Sequence, residues 1–329
     1  MNISKIGPVE IMMGENGSRM PFSTSLLVKG KHDATLIDCG SGVKSLRNIK
    51  KEYDVKQIYL THHHLDHTWG THLFPEAEKY MNPLDYKKAV DTRELILAQG
   101  FPAVFSEKEI QQFLEIQRKQ PFPGLEDVVD RQMYINGTYN YDQEFTVSDS
   151  KVMMIYAPGH TEGYCLPYFP EYGILFVGDF DLTSFGPFYC DADGDIDLFI
   201  QSAYKTLEVD AKYYVTAHQR GIMLKEDYKK ELDGYLNIIN KRESIIKRFV
   251  KSGGAPQDLT MQGIFYYEEQ NNRNPFYLKS EKLGIAKHLK RLIKQGEPFA
   301  EFYREYLSLQ NIKEDFIEYR QDLSISTSK

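Results

Sequence analysis

The feature that most narrows what this chain can fold into is His62-His63-His64-Leu65-Asp66-His67, where five of six consecutive side chains are of types that bind metal ions. So dense a cluster needs a rigid support. The residues before it supply one, since Lys56-Gln57-Ile58-Tyr59-Leu60-Thr61 is a short, apolar, β-rich run. The cluster therefore sits on a loop leaving a strand end, with Thr68-Trp69-Gly70 beyond it. Alternation along that loop points His62 and His64 one way and turns Asp66 and His67 toward a second centre, so two metals are expected. The competing reading is a polar loop whose histidines are solvated or pair with Glu.

Three later runs repeat the arrangement. Val152-Met153-Met154-Ile155-Tyr156-Ala157 ends in Pro158-Gly159-His160-Thr161. Gly173-Ile174-Leu175-Phe176-Val177 ends in Gly178-Asp179, with a glycine where backbone can approach closely. Ala211-Lys212-Tyr213-Tyr214-Val215-Thr216-Ala217 ends in His218. Taken singly, His160 and His218 read equally as ligands or as hydrogen-bonded histidines, and Asp179 as a turn residue. Together with the hexapeptide they form one constellation.

Thr61 to His67, Pro158-Gly159-His160-Thr161, Gly178-Asp179 and His218 match, in order, the motifs of the metallo-β-lactamase-fold hydrolases, and the resemblance covers roughly residues 1 to 222. It implies a four-layer α/β/β/α sandwich with a dinuclear metal centre at one edge of two sheets. It further implies that His62, His64 and His160 bind one ion, that Asp66, His67 and His218 bind the other, and that Asp179 bridges them. Asp38, at the end of Ala34-Thr35-Leu36-Ile37, resembles the family's Asp that supports the metal loop; the alternative is a cap for the helix beginning near Val43.

Composition limits the remainder. The 329 residues suit one large domain, 1–222, and an appendage, 223–329. No apolar run is long enough for a spanning helix, and the N-terminus lacks a signal-peptide core, so a cytoplasmic location is expected. Cys39, Cys165 and Cys190 are too few and too scattered for a disulfide framework and read as reduced thiols. A net charge of −7 argues against a broad nucleic-acid surface, and the expected partner is a small-molecule substrate, with a homodimer possible.

Residues 83–127 are a helical insertion that a minimal sandwich does not need, and within it Ser106-Glu107-Lys108-Glu109 has capping-box character. It reads as a pocket wall or lid, or else as a flap packed on the sheet or a dimer contact. Tyr134-Ile135-Asn136-Gly137-Thr138-Tyr139 reads as a hairpin turn. Asp191-Ala192-Asp193-Gly194-Asp195 fails the calcium-loop pattern and reads as a loop capping the helix at Ile196. The aromatics of Thr183 to Tyr189 lie just after Asp179, and Tyr189 is a candidate substrate contact, with core packing as the alternative. Beyond residue 222 the chain resembles the helical or winged-helix-like appendage of some family members. Lys282, Lys287, Lys290, Arg291 and Lys294 read as the solvated face of one helix, and His288 as an ordinary surface or packing histidine.

A His and carboxylate set without Cys suits zinc, and iron or manganese would accept it. Two such ions lower the pKa of a shared water from about 15.7 toward neutrality, so a hydroxide is available as nucleophile, with Asp66 both ligand and orienter. Hydrolysis of an ester, thioester or related acyl bond is the expected reaction. The first motif resembles glyoxalase II most, whereas Thr216-Ala217-His218-Gln219-Arg220-Gly221 departs from that enzyme's last motif. Phe180-Asp181-Leu182 lacks the lactonases' Tyr, and Asp179 stands where β-lactamases carry Cys. The rivals are iron-dependent sulfur-metabolism redox chemistry on the same fold, a phosphodiesterase or nuclease, and a non-catalytic binding module.

Overall fold

The computed structural model describes residues 4–119 and 133–320. Residues 120–127 of the expected insertion therefore lie outside the described residues. The strands are β1 (Lys5–Ile6), β2 (Val9–Met12), β3 (Ser25–Lys29), β4 (Ala34–Ile37), β5 (Val55–Leu60), β6 (Glu78–Met81) and β7 (Gly137–Thr138), which form one sheet in that order. The second sheet runs β13 (Ile222–Leu224), β12 (Tyr213–Thr216), β11 (Ile174–Gly178), β10 (Cys165–Phe169), β9 (Ser150–Tyr156) and β8 (Glu144–Val147). β4 to β7 pair parallel, as do β11 and β12, and the other pairs are antiparallel.

The alternation of side chains along each strand explains the layering. Leu26 and Val28 of β3 join Ile174 and Phe176 of β11 in a cluster between the sheets. Leu27 faces the other way, onto Leu46 and Ile49 of helix Val43–Glu52. Leu175 and Val177 face out onto Phe199 of helix Ile196–Lys205 and onto Tyr228, Leu232, Tyr235 and Ile239 of helix Lys225–Lys251. Strands buried on both faces read as unbroken apolar runs, and this is why they stood out in the sequence. The result is the expected α/β/β/α sandwich.

Helix 225–251 places Tyr228, Leu232, Tyr235, Leu236 and Ile239 at three- and four-residue spacing on the second sheet, so a boundary at 222 cuts through one packed cluster. Its far end joins helices Pro275–Lys294 and Ala300–Leu309 in a separate core containing Ile246, Leu283, Leu289, Leu292 and Tyr306. Among the described residues no strand follows Leu224, so the appendage is helical without a wing. The described part of the insertion forms helices 86–90, 92–99, 101–104 and 107–119, and Ala103 and Val104 enter the core of the appendage. Ser106 and Glu109 form the expected reciprocal cap. The hairpin expected at 134–139 is absent, since β7 adds parallel to β6 and Asn136 bonds Lys79 across that edge. No described helix is long and apolar enough to cross a membrane.

Candidate metal centre

All the expected ligands converge where the sheets meet. His62, His64 and His160 form one group, and Asp66, His67, Asp179 and His218 a second, each with its donor atoms within 4.8 Å of one another. β5 delivers the hexapeptide, β9 leads into His160, β11 into Asp179 and β12 into His218, so four neighbouring strand ends fix four loops. Gly178 has φ +53, and a Cβ there would lie 2.1 Å from the Tyr164 hydroxyl, so no other residue fits this turn without displacement. That hydroxyl accepts from Asp179 N at 2.6 Å and donates to Val177 O at 2.9 Å, holding the turn.

Each histidine is tied by the nitrogen that faces away from the centre. His67 Nδ1 lies 2.6 Å from Asp38 Oδ2, His160 Nδ1 2.9 Å from Phe188 O, and His218 Nδ1 2.9 Å from Ser18 O. His62 Nδ1 lies 3.0 Å from Thr61 Oγ1, whose hydroxyl reaches Asp38 Oδ2 at 2.8 Å. His64 is held the other way round, with Nε2 3.2 Å from Asp191 Oδ2 and Nδ1 left for the centre. Carbonyl and carboxylate partners can only accept, so they assign the proton to the outer nitrogen and free the inner lone pair.

The inner atoms have the spacing of ligands. His62 Nε2 and His160 Nε2 are 3.3 Å apart. His67 Nε2 lies 3.2 Å from Asp179 Oδ2 and 3.4 Å from Asp66 Oδ2, and His218 Nε2 lies 3.2 Å from both carboxylates. Ligands at about 2.0–2.1 Å from a tetrahedral ion are themselves about 3.3 Å apart, so these separations fit. His67 Nε2 and Asp179 Oδ2 are buried and lack a hydrogen-bond partner, as expected of atoms that a cation satisfies. Asp179 Oδ2 stands 3.9 Å from both His62 and His160, so the carboxylate expected to bridge leans toward the second group.

Within the first group burial pushes His62 well below its ordinary value and His160 down to about 4, whereas burial of His64 is outweighed by Asp191, which holds it above 6.5. Burial would lower His67 and His218 too, but Asp179 and Asp66 outweigh it and hold both well above 6.5. Burial opposes ionisation of Asp179, yet His67, His160 and His218 keep its carboxyl well below 3.8.

Some supports were not legible in advance. Asp191 and Tyr164 each hold a ligand or its turn from a place that no spacing rule marks. Asp38 has the supporting role expected of it and does not cap a helix, since its carboxylate is spent on Thr61 and His67. Asp195 caps helix 196–205 by accepting from Leu198 N at 2.9 Å, as expected of that loop. Tyr189 is corrected: it is wholly buried, with its hydroxyl on Arg242 and His288, and packs beneath the site instead of reaching a substrate. Lys287 leaves the solvated face assigned to it, because its ammonium is buried among backbone carbonyls. His288 is a packing histidine.

Comparison with known proteins gives the same picture. A lactamase-like protein of Emericella nidulans, aptB, is 24% identical over 178 residues, which is 52% of this chain. The chain spans only 44% of that relative's length. Among solved structures, the metallo-beta-lactamase family protein TTHA1429 from Thermus thermophilus superposes with a TM-score of 0.62 at 19% identity, covering 88% of this chain and 94% of that one. A beta-lactamase domain protein from Burkholderia ambifaria gives 0.56 at 14% identity, covering 88% and 87%. Residues 20–218 match the model of the metallo-beta-lactamase superfamily, a stretch that contains all seven converging side chains. The chain belongs to the metallo-β-lactamase superfamily.

Proposed function

We propose that the protein is a hydrolase that holds two divalent ions, zinc first among them, and cleaves an ester, thioester or related acyl bond of a small molecule. The observation that carries this reading is the set of five histidines whose outer nitrogens are tied and whose inner nitrogens converge with Asp66 and Asp179. A pair of divalent cations bound there supplies Lewis acidity and an activated water. What the chain itself does is orient. His62, His67 and His160 are at most 3% exposed, whereas His64, Asp66, Asp179 and His218 show 8–12% of their side chains, so substrate approaches over the latter four. Half-buried Phe188 borders that opening, about 6 Å from the His64 and His160 rings, and stacks on Phe276 at 6.2 Å. This apolar edge suits an acyl group and excludes water beside the scissile bond.

The supporting experiment is a panel of small esters, thioesters and phosphodiesters, with elemental analysis of protein purified without added metal. Chelator-sensitive cleavage of the acyl substrates, with two ions per chain, is expected. Cleavage of phosphodiesters alone would move the reading to a phosphodiesterase, and bound iron with oxygen consumption to an oxidoreductase. Fewer than two ions after supplementation would overturn the dinuclear assignment.

A further inference from the structure

We infer that the C-terminal helices are part of the metal centre: through the loop 183–195, Lys279 and Lys287 position the ligands of the His62, His64 and His160 group, so the appendage sets that ion's affinity. The inference rests on the proposal that this site holds metal.

The loop carries the partners of two of these three histidines. Asp191 Oδ2 meets His64 Nε2 at 3.2 Å, and Phe188 O meets His160 Nδ1 at 2.9 Å. Both partners are themselves held from beyond residue 222. Asp191, 1% exposed, pairs through Oδ1 with the ammonium of Lys279, which is fully buried. Four residues either side of Leu283, Lys279 and Lys287 share one face of helix 275–294. The Lys287 ammonium donates to the carbonyls of Tyr189, Asp191, Ala192 and Gly194, so the loop is wrapped around it. Arg242, from helix 225–251, donates to Phe185 O and Pro187 O at 2.7 Å, just ahead of the Phe188 carbonyl.

The other group is built differently. His67 depends on Asp38 and His218 on Ser18 O, both within the sandwich, and Asp179 N is held by Tyr164. Among the described residues only Tyr235 reaches it from a C-terminal helix, donating to Asp179 O at 3.0 Å. The support that reaches His64 and His160 through loop 183–195 is therefore one that the second group does not share. Without Lys279 the buried Asp191 loses the counter-charge and the partner of its Oδ1, so its carboxylate is free to turn and no longer fixes the ring of His64.

The test uses the full chain with Lys279→Met, which keeps length and apolar bulk, and Asp191→Asn, which keeps shape but turns an amide N–H toward His64. Lys290→Met, on the same helix with a partly exposed ammonium paired to Glu318, is the control. Zinc affinity is measured by chelator competition, and cobalt(II) absorption reports the coordination of each ion. The expected result is a 10–100-fold loss for one ion in both variants, a changed cobalt band for that ion alone, and wild-type behaviour of the other ion and of Lys290→Met. If Lys279→Met fails to fold by circular dichroism, Asp191→Asn carries the same expectation. Two ions at wild-type affinity in the folded variants, with two in the wild type, would overturn the positioning role alone. A wild-type chain that binds no ion overturns the metal reading and this inference with it.

Discussion

Asp38 is the residue whose replacement tests the construction of the centre most sharply, because one buried carboxylate orients a histidine of each group. Its Oδ1 accepts from Thr61 N at 2.8 Å, and its Oδ2 takes both the Thr61 hydroxyl at 2.8 Å and His67 Nδ1 at 2.6 Å. The Thr61 hydroxyl in turn sits 3.0 Å from His62 Nδ1. Asp38→Ala orphans two buried donors, Thr61 N–H and the His67 ring, at about 1–3 kcal/mol each. It also places Ala at φ +58, which costs roughly 1 kcal/mol more. The sum is about 3–7 kcal/mol, a large share of the roughly 5–15 kcal/mol that holds a domain together. Asp38→Asn separates stability from chemistry. Asn tolerates the left-handed backbone and still accepts from Thr61 N, so the metal-free fold should lose only about 1–2 kcal/mol. Its amide N–H now faces His67 Nδ1, which must become an acceptor and carry its proton on Nε2, toward the ion. Metal affinity should fall about 10–100-fold, or about 1.4–2.7 kcal/mol, more for the His67 ion than for the His62 ion. Urea unfolding of the metal-stripped protein gives the first quantity and chelator competition the second. An Asp38→Asn protein that keeps both ions at wild-type affinity would refute the tautomer argument.

Gly40→Ala should weaken metal binding and cost about 2–3 kcal/mol, since its Cβ would lie 1.8 Å from Asp66 O and 2.1 Å from Ser23 Oγ; a normal urea midpoint and normal metal content would contradict this. Asp85 is buried, and although burial would raise its carboxyl, Lys88 and His63 hold it well below 3.8. A depressed carboxyl contributes stability that is present above its unfolded value and lost as pH falls toward its folded one, so Asp85→Asn should flatten the fall in stability of metal-stripped protein below about pH 4, as read by urea unfolding. Cys39, Cys165 and Cys190 are all buried, and burial pushes the Cys190 thiol up to about 12. Each should be replaceable by Ser with less than about a tenfold change in kcat, roughly 1.4 kcal/mol of barrier, and a trapped acyl-cysteine would contradict that. In hydrogen exchange, helices 92–99 and 107–119 should open faster than β9 and β11, whose residues are largely buried; equal protection would show that packing on the appendage makes the insertion rigid.

The seven converging side chains could be read from the sequence because each lies in the segment that leaves a largely buried strand, and such a strand announces itself as an apolar run with a definite end. The same locality made the sandwich legible, together with Asp38, the Asp195 cap and the Ser106 cap. What the sequence could not determine lies in contacts between residues far apart along the chain. Asp191 meets His64 across 127 positions and Lys279 across 88, and nothing local marks either partner. Lys287 looked solvated because its neighbours on the helix are charged; only the docking of loop 189–194 shows that its face is the buried one. Tyr189 looked like a rim residue because it follows Asp179 closely, yet the chain turns between them and sends its hydroxyl to Arg242 and His288. Local pattern thus decided which residues face the centre. Tertiary packing decided what holds them, because a buried charge is tolerated only where the whole fold brings a partner to it.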